Sequence, residues 1–154
     1  MVYILMSKLG RIKNKLRTYW YKKQFLHFGK GACILGKIFV LPPKNVSLGD
    51  FSFLNEGVYL NAREKITIGS YVHISPFCII NTGKLDYTKK FSERSHIAEP
   101  VIIEDGVWIG SGVIINPGVI IGKNSVVGSG AVVTKNIPPN SLAVGVPAKV
   151  VREI

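Results

Sequence analysis

The side chains best suited to proton transfer lie in one polar segment of this 154-residue sequence, residues 83–100. His96 is the only histidine of the segment, and Lys84 and Asp86 are ionisable groups near its start. An unperturbed imidazole titrates close to neutral pH, so His96 is the natural candidate for a general base. Asp86 and Lys84 are the alternative candidates for that role.

The chain is strongly basic, with 20 lysine and arginine residues against 9 acidic ones and a formal net charge of +11. Its cations are concentrated before the first acidic residue, Asp50. Such a basic arm attracts phosphate-rich partners, which include a membrane surface, a polyphosphate cofactor and nucleic acid. No nucleic-acid recognition module accompanies the charge, so nucleic acid is not an expected partner.

The expected location is cytoplasmic, at most peripheral to the inner face of the membrane. No run of 18 apolar residues could span a bilayer, and the apolar stretch at residues 1–6 is too short for a secretory signal. Cys33 and Cys78 are not at metal-ligand spacing. Two buried thiols, rather than a disulfide, suit a reducing compartment.

A six-residue repeat predicts the elements that position the polar segment. Its first position is aliphatic in every unit, at Ile103, Ile109, Ile115, Ile121, Val127 and Val133. Valine, serine or alanine occupies the fifth position. A period of six fits neither an α-helix nor a long alternating strand. It predicts a parallel β-helix, in which the chain turns a corner every six residues and the aliphatic side chains point inward.

Three regions follow from this pattern. Residues 29–140 are predicted to form the β-helix, about five turns ending at two prolines, and residues 83–100 to protrude from it as a loop. Residues 141–154 form a C-terminal tail. Residues 1–28 are predicted to contain a basic amphipathic helix. Its apolar stripe consists of Leu5, Leu9, Ile12, Leu16 and Tyr19, with Trp20 beside it.

Two positions are open for this helix. Its stripe packs on the first coil or a neighbouring subunit, or it lies on an anionic membrane surface with Trp20 at the interface.

Four segments carry a resemblance to a known family: VWIG at 107–110, INPGV at 115–119, VVTKNIPPN at 132–140 and GVPAKV at 145–150. They resemble the hexapeptide-repeat acyltransferases, in particular the galactoside and maltose O-acetyltransferases. The chain is also similar to O-acetyltransferases of capsule and lipopolysaccharide synthesis. The resemblance implies an all-β fold, a left-handed parallel β-helix, here with an N-terminal α-helix. It also implies a homotrimer that uses acetyl-CoA, without a metal, to acetylate a hydroxyl of a sugar or polysaccharide precursor.

The resemblance assigns seven residues to the cofactor: Trp108, Ser111, Ser129, Thr134, Lys135, Lys149 and Arg152. The first two match the cofactor channel, and the third matches a small residue whose backbone meets the pantetheine arm. The last four match the nucleotide end, where cations suit the phosphates of coenzyme A. Asn55 matches an asparagine that contacts the acceptor, and its alternative role is that of a corner residue.

The chain departs from the family at the general base. Family members carry a histidine where this sequence has Lys84 or Leu85. His96 is then the leading candidate, followed by His73 and by a route through Asp86 or Lys84. A catalytically impaired chain is the remaining interpretation.

Three other functions compete with O-acetylation. An amino-sugar N-acetyltransferase would use the same cofactor, and a non-catalytic trimeric scaffold would use none. A carbonic anhydrase on the same type of coil needs three histidines around zinc. His27, His73 and His96 lie in the wrong sequence contexts for such a centre.

Overall fold

The computed structural model describes residues 2–154, with side chains from Gly10 onwards. Most of the chain forms a parallel β-helix, in which successive short strands join three parallel sheets in turn. We call these sheets A, B and C in the order in which the chain visits them. One helix, α1 (Val2–Lys22), precedes the coil.

The strands are two to five residues long. Sheet A contains β1 (His27–Phe28), β4 (Val46–Leu48), β7 (Ile66–Ile68), β12 (Val101–Ile103) and β15 (Ile120–Ile121). Sheet B contains β2 (Cys33–Leu35), β5 (Phe53–Asn55), β8 (His73–Ile74), β13 (Trp108–Ile109), β16 (Val126–Val127), β18 (Ser141–Val144) and β19 (Lys149–Glu153). Sheet C contains β3 (Phe39–Leu41), β6 (Tyr59–Asn61), β9 (Ile79–Asn81), β14 (Ile114–Ile115) and β17 (Val132–Val133).

The inward positions of the hexads form the hydrophobic core, which confirms the predicted register. Every predicted first-position side chain from Ile103 to Val133 is fully buried. Equivalent residues stack from turn to turn. Ile103, for example, pairs in register with Ile68 on one side and Ile121 on the other. Each such isoleucine contributes about 1.5–3 kcal/mol by leaving water, so the stack stabilises the coil along its whole length.

The coil continues beyond the two prolines, and the prediction that Pro138 and Pro139 end it was wrong. Ile137 makes a parallel bridge to Ile121, and β18 then pairs in parallel with β16. The β-helix thus has about six turns instead of five. The prolines are tolerated because they lie at a corner between sheets, where no ladder hydrogen bond is required. Residues 149–153 return as β19, antiparallel to β18.

Helix α1 lies across the open N-terminal end of the coil. β2 is the last strand of sheet B at this end, and its Ile34 N–H donates to Thr18 Oγ1 at 3.0 Å. The Tyr21 hydroxyl donates to the Ile38 carbonyl at 3.1 Å. These bonds satisfy backbone groups that would otherwise face outward from an unpaired edge.

The apolar stripe of α1 does not pack on the first coil. Ile12, Leu16 and Tyr19 are each more than half exposed. The predicted stripe residues Leu5 and Leu9 lie outside the described side chains. Within the described residues, no helix combines the length and the hydropathy needed to cross a bilayer.

The two cysteines are not joined to each other. Cys78 is buried as predicted, with its Sγ 3.1 Å from the Gly110 carbonyl oxygen, and burial raises the pKa of its thiol. Cys33 is only partly buried, contrary to the prediction, because it occupies an outward position of sheet B.

Candidate active site

The polar segment forms a β-hairpin at the corner between sheets C and A. Its strands are β10 (Gly83–Leu85) and β11 (His96–Ala98), inserted between β9 and β12. The two strands are antiparallel and pair with each other alone. The segment predicted as a protruding loop therefore has its own regular structure, which can hold a side chain in a defined position.

His96 lies directly opposite Leu85 in this hairpin. In the next pair, the Asp86 N–H donates to the Ser95 carbonyl at 2.9 Å, and three pairs away on the other side the Glu99 N–H donates to the Thr82 carbonyl at 2.8 Å. Because hydrogen-bonded and non-hydrogen-bonded pairs alternate, Leu85 and His96 form a non-hydrogen-bonded pair. Side chains in such pairs share one face of the hairpin, with Cβ atoms about 4.5–5.5 Å apart. His96 therefore lies beside Leu85, one of the two positions, Lys84 and Leu85, at which the family histidine was expected.

Lys84 points to the opposite face of the hairpin and is engaged in an ion pair. Its Nζ lies 2.7 Å from Oε1 of Glu99, the residue that follows β11. An ammonium group donates hydrogen bonds and has no acceptor site, so Lys84 in this arrangement is a positive charge rather than a base.

Asp86 is also a poor base. Its Oδ1 accepts hydrogen bonds from the hydroxyl of Thr88 at 2.6 Å and from the Thr88 N–H at 3.2 Å, and Lys89 lies 3.5 Å from Oδ2. These donors, the Thr88 hydroxyl first, hold the pKa of Asp86 below its ordinary value. A lower pKa weakens a carboxylate as a proton acceptor, so Asp86 is better suited to shaping the hairpin than to catalysis.

A cleft beside the hairpin contains one predicted catalytic residue and one predicted cofactor residue. Lys84 of the hairpin and Thr134 of the coil both line it. Asn81, Asn116 and Tyr87 line the same cleft and were not predicted as site residues. The repeat could have identified the two asparagines, because each directly follows an inward isoleucine of sheet C. Both therefore lie at the same corner of the coil. No comparable signal marked Tyr87.

A second group of predicted residues lies at the corner between sheets B and C. Ser111 and Ser129 are exposed at consecutive turns of this corner, and the Gly130 N–H donates to the Ser111 carbonyl at 2.9 Å. Gly112 and Gly130 have φ of +69° and +72°, and nothing lies within 4 Å of where their Cβ atoms would be. The corner is therefore an open backbone surface that an extended chain can approach closely.

Trp108 and Asn55 border the same corner. Trp108 lies on the outer face of sheet B, is 55% exposed, and donates from its indole nitrogen to Ser75 Oγ at 3.2 Å. Asn55 ends β5, and its Nδ2 donates to the Ile74 carbonyl at 2.8 Å. This bond is the structural role of a corner residue, and it leaves the Asn55 side-chain oxygen available.

Three predicted phosphate-binding cations are exposed at the C-terminal end of the coil. Lys135 occupies a corner between sheets C and A, and Lys149 and Arg152 lie on β19. None of the three has an ion-pair partner within the part of the chain that the structure describes. They are free to meet an anionic ligand.

One chain thus distributes its candidate site over two corners of the coil. His96, Lys84, Thr134 and Lys135 are at the corner between C and A, whereas Ser111 and Ser129 are at the corner between B and C. The width of sheet C separates the two groups.

The chain is similar in sequence and in fold to known proteins with hexapeptide repeats. The family profile "Bacterial transferase hexapeptide (six repeats)" matches residues 100–135. The galactoside O-acetyltransferase of Escherichia coli K12 is 37% identical over 134 residues, covering 86% of this chain and 66% of that protein. A hexapeptide-repeat acetyltransferase of Vibrio cholerae, solved with acetyl coenzyme A, superposes with a TM-score of 0.83 at 34% identity. That match covers 90% of this chain and 76% of the other.

A protein named as a probable carbonic anhydrase, from Methanocaldococcus jannaschii, is 42% identical over 141 residues, covering 84% of this chain and 80% of its own. Within one chain, the three histidines do not come together. His27 lies on sheet A, His73 on sheet B and His96 in the hairpin. The described residues include no group of three or more histidine, cysteine or carboxylate side chains that could hold a metal.

The predicted fold and family are therefore both confirmed. The chain spans about two thirds of the length of the E. coli galactoside O-acetyltransferase. The Vibrio protein matches over more than two thirds of its own length at over 30% identity. This chain belongs to the hexapeptide-repeat acyltransferase family.

Proposed function

We propose that this protein transfers an acetyl group from acetyl-CoA to a hydroxyl of a sugar or surface-polysaccharide precursor, with His96 as general base. The observation that carries the proposal is the cross-strand pairing of His96 with Leu85. The first strand of the hairpin has Lys84 and Leu85 where a family histidine was expected, and the second strand places an imidazole directly opposite Leu85. Lys84 and Asp86 are held in contacts that disfavour a basic role.

The chemistry needs one proton acceptor and no covalent enzyme intermediate. His96 would take the proton of the acceptor hydroxyl while its oxygen attacks the thioester carbonyl of acetyl-CoA. As the carbon–sulfur bond breaks, the imidazolium would return the proton to the coenzyme A sulfur. The products are the acetyl ester and free coenzyme A.

We also infer that the active protein is a homotrimer with each site between two copies. One of the two outward columns of sheet C is apolar throughout and consists of Phe39, Tyr59, Ile79, Ile114 and Val132, aligned in register. The outer column of sheet A, by contrast, begins with His27, Ser47 and Thr67. Covering sheet C with a second copy would bury this column and bring a corner of each copy together.

Replacing Ile114 with lysine is expected to dissociate the trimer, because it places a charge in the middle of the buried column. Ile102→Lys is the matched control, since Ile102 is an outward isoleucine of similar burial on sheet A. Sedimentation velocity reads out the oligomeric state. A trimer that survives Ile114→Lys contradicts an interface on sheet C, whereas equal loss in Ile102→Lys would place the outer face of sheet A in the interface as well.

Acetyl-CoA binding tests the proposed function as a whole. Calorimetry should detect binding to the parent protein, weakened by about 1 kcal/mol each, or about fivefold, in Lys149→Ala and Arg152→Ala. The effect should shrink at high salt, because exposed charges are screened. Lys123→Ala is the control, since this exposed lysine lies at a corner between sheets A and B. A parent protein without affinity for acetyl-CoA would remove the acetyltransferase proposal.

The competing functions are separated by the product. Incubation with labelled acetyl-CoA and a panel of sugars should give an alkali-labile ester, whereas an amino-sugar N-acetyltransferase gives an alkali-stable amide. A protein that binds acetyl-CoA and acetylates no member of the panel would support an impaired enzyme. One that binds none would support a scaffold.

A further inference from the structure

The positive charge of this protein is concentrated at one end of the molecule. Ten of the 20 lysine and arginine residues precede Asp50, and none of the 9 acidic residues does. Helix α1 contains no aspartate or glutamate and lies at the N-terminal end of the coil. A surface of one sign on this scale attracts an anionic partner.

The helix is attached to the coil by its more polar face. Gly10, Asn14, Thr18 and Tyr21 are all partly buried, and the last two make the hydrogen bonds to the first turn. With about 100° between successive residues of an α-helix, these four positions lie on one side. The opposite side is therefore directed away from the coil.

That opposite side is apolar. Ile12, Leu16, Tyr19 and Trp20 fall within about 100° of one another around the helix. They are 57, 65, 61 and 55% exposed, respectively. We call this group the outer stripe. An exposed row of four large apolar side chains on one helix is a feature of binding surfaces.

Lysines border the outer stripe on both sides. Lys13 lies to one side and Lys15 to the other, and both are exposed. Lys23 extends over the ring of Tyr19, with its Nζ 4.6 Å from the ring centroid. An apolar row between cationic borders, with a tryptophan and a tyrosine in it, matches the chemistry of a helix lying in the interface of an anionic membrane.

We propose that the outer stripe of α1 docks this protein on an anionic lipid bilayer. Ile12, Leu16 and Trp20 would enter the boundary between headgroups and acyl chains, while Lys13 and Lys15 contact lipid phosphates. The docking surface is independent of the proposed acetyl transfer, because none of its residues lies at the candidate site.

Charge favours a bilayer over a second copy of this chain. Two copies meeting through their outer stripes would bring two wholly cationic segments together, which is electrostatically unfavourable. The interface proposed on sheet C includes no residue of α1. A closed trimer would carry three stripes on one end, directed at the same surface.

Vesicle binding tests the proposal directly. The full chain should co-sediment with vesicles of phosphatidylcholine and phosphatidylglycerol, and much less with phosphatidylcholine alone or at high salt. The double variant Ile12→Glu, Leu16→Glu should lower partitioning at least about tenfold. Both residues are exposed, so the fold should tolerate the change. In a Trp108→Phe background Trp20 is the only tryptophan, and its emission should shift to the blue on binding.

Val151→Glu is the matched control. Val151 is 56% exposed on β19, at the opposite end of sheet B from α1. Its substitution should therefore leave vesicle partitioning unchanged. Equal binding of the parent to neutral and anionic vesicles, or equal loss in the control, would overturn the proposal. So would a lipid-free assembly of the parent that the double variant breaks, because the stripe would then be a protein interface.

Discussion

Replacing His96 with alanine is expected to lower the turnover number by about 10²–10⁴-fold, the usual contribution of a general base. The affinity for acetyl-CoA should stay close to that of the parent, because the residues assigned to the cofactor are on the coil and β19. Steady-state kinetics together with calorimetry separate these two effects. Loss of acetyl-CoA affinity in parallel with turnover would indicate a structural role for His96 instead.

The pairing of His96 with Leu85 allows a stricter version of this experiment. Exchanging the two side chains, as Leu85→His with His96→Leu, moves the imidazole across the hairpin by about the 4.5–5.5 Å that separates paired Cβ atoms. The exchanged protein should recover at least about tenfold of the turnover lost in His96→Leu alone. His27→Ala is the control, since His27 is exposed on β1 of sheet A. Full activity of His96→Ala would turn attention to Asp86 and Lys84.

Replacing Ile115 with aspartate is expected to abolish folding. Ile115 is fully buried in the stack of sheet C, in register with Ile80 and Val133. The substitution removes about 1.5–3 kcal/mol of burial and leaves an unpaired carboxylate inside the coil, which costs several kcal/mol more. Domains of this size have about 5–15 kcal/mol of stability in total, so little or none would remain.

Circular dichroism and thermal unfolding measure this loss. The control is Ile120→Asp, since Ile120 is a neighbouring isoleucine that points outward from sheet A and is 37% exposed. An Ile115→Asp protein that unfolds at the parent's temperature would show that the inward register is wrong. Unfolding of both variants would mean that the outer face of sheet A is also buried in the assembly.

The individual residues of the candidate site were predicted unevenly. Asp86 and Lys84 were reasonable candidates by residue type, but their partners Thr88 and Glu99 could not be read from spacing. Those contacts decide whether a carboxylate or an amine is available as a base, and they depend on how the hairpin closes. The two asparagines of the cleft each follow an inward isoleucine, so their shared corner could be predicted from the repeat. The residue roles assigned by resemblance remain predictions.

Helix α1 shows a similar limit. Its hydrophobic periodicity predicted an amphipathic helix, and Val2–Lys22 is one. Periodicity shows which residues share a face, but not which face meets the coil. Two hydrogen bonds decided that, one accepted by Thr18 from the Ile34 N–H and one donated by Tyr21 to the Ile38 carbonyl, because backbone groups at the end of the coil lack strand partners.

The sequence by itself determined the coil, because a six-residue period fits a chain that turns a corner every six residues and buries each inward aliphatic side chain. The repeat assigns one inward position to each six-residue unit, and every such position from Ile103 to Val133 is buried. Only the tertiary structure decided what lies between distant residues: the pairing of Leu85 with His96, the distribution of the site over two corners, and the outward turn of the α1 stripe. The pairing within the hairpin and the orientation of α1 depend on hydrogen bonds made by segments outside the repeat, and the six-residue pattern does not specify those partners.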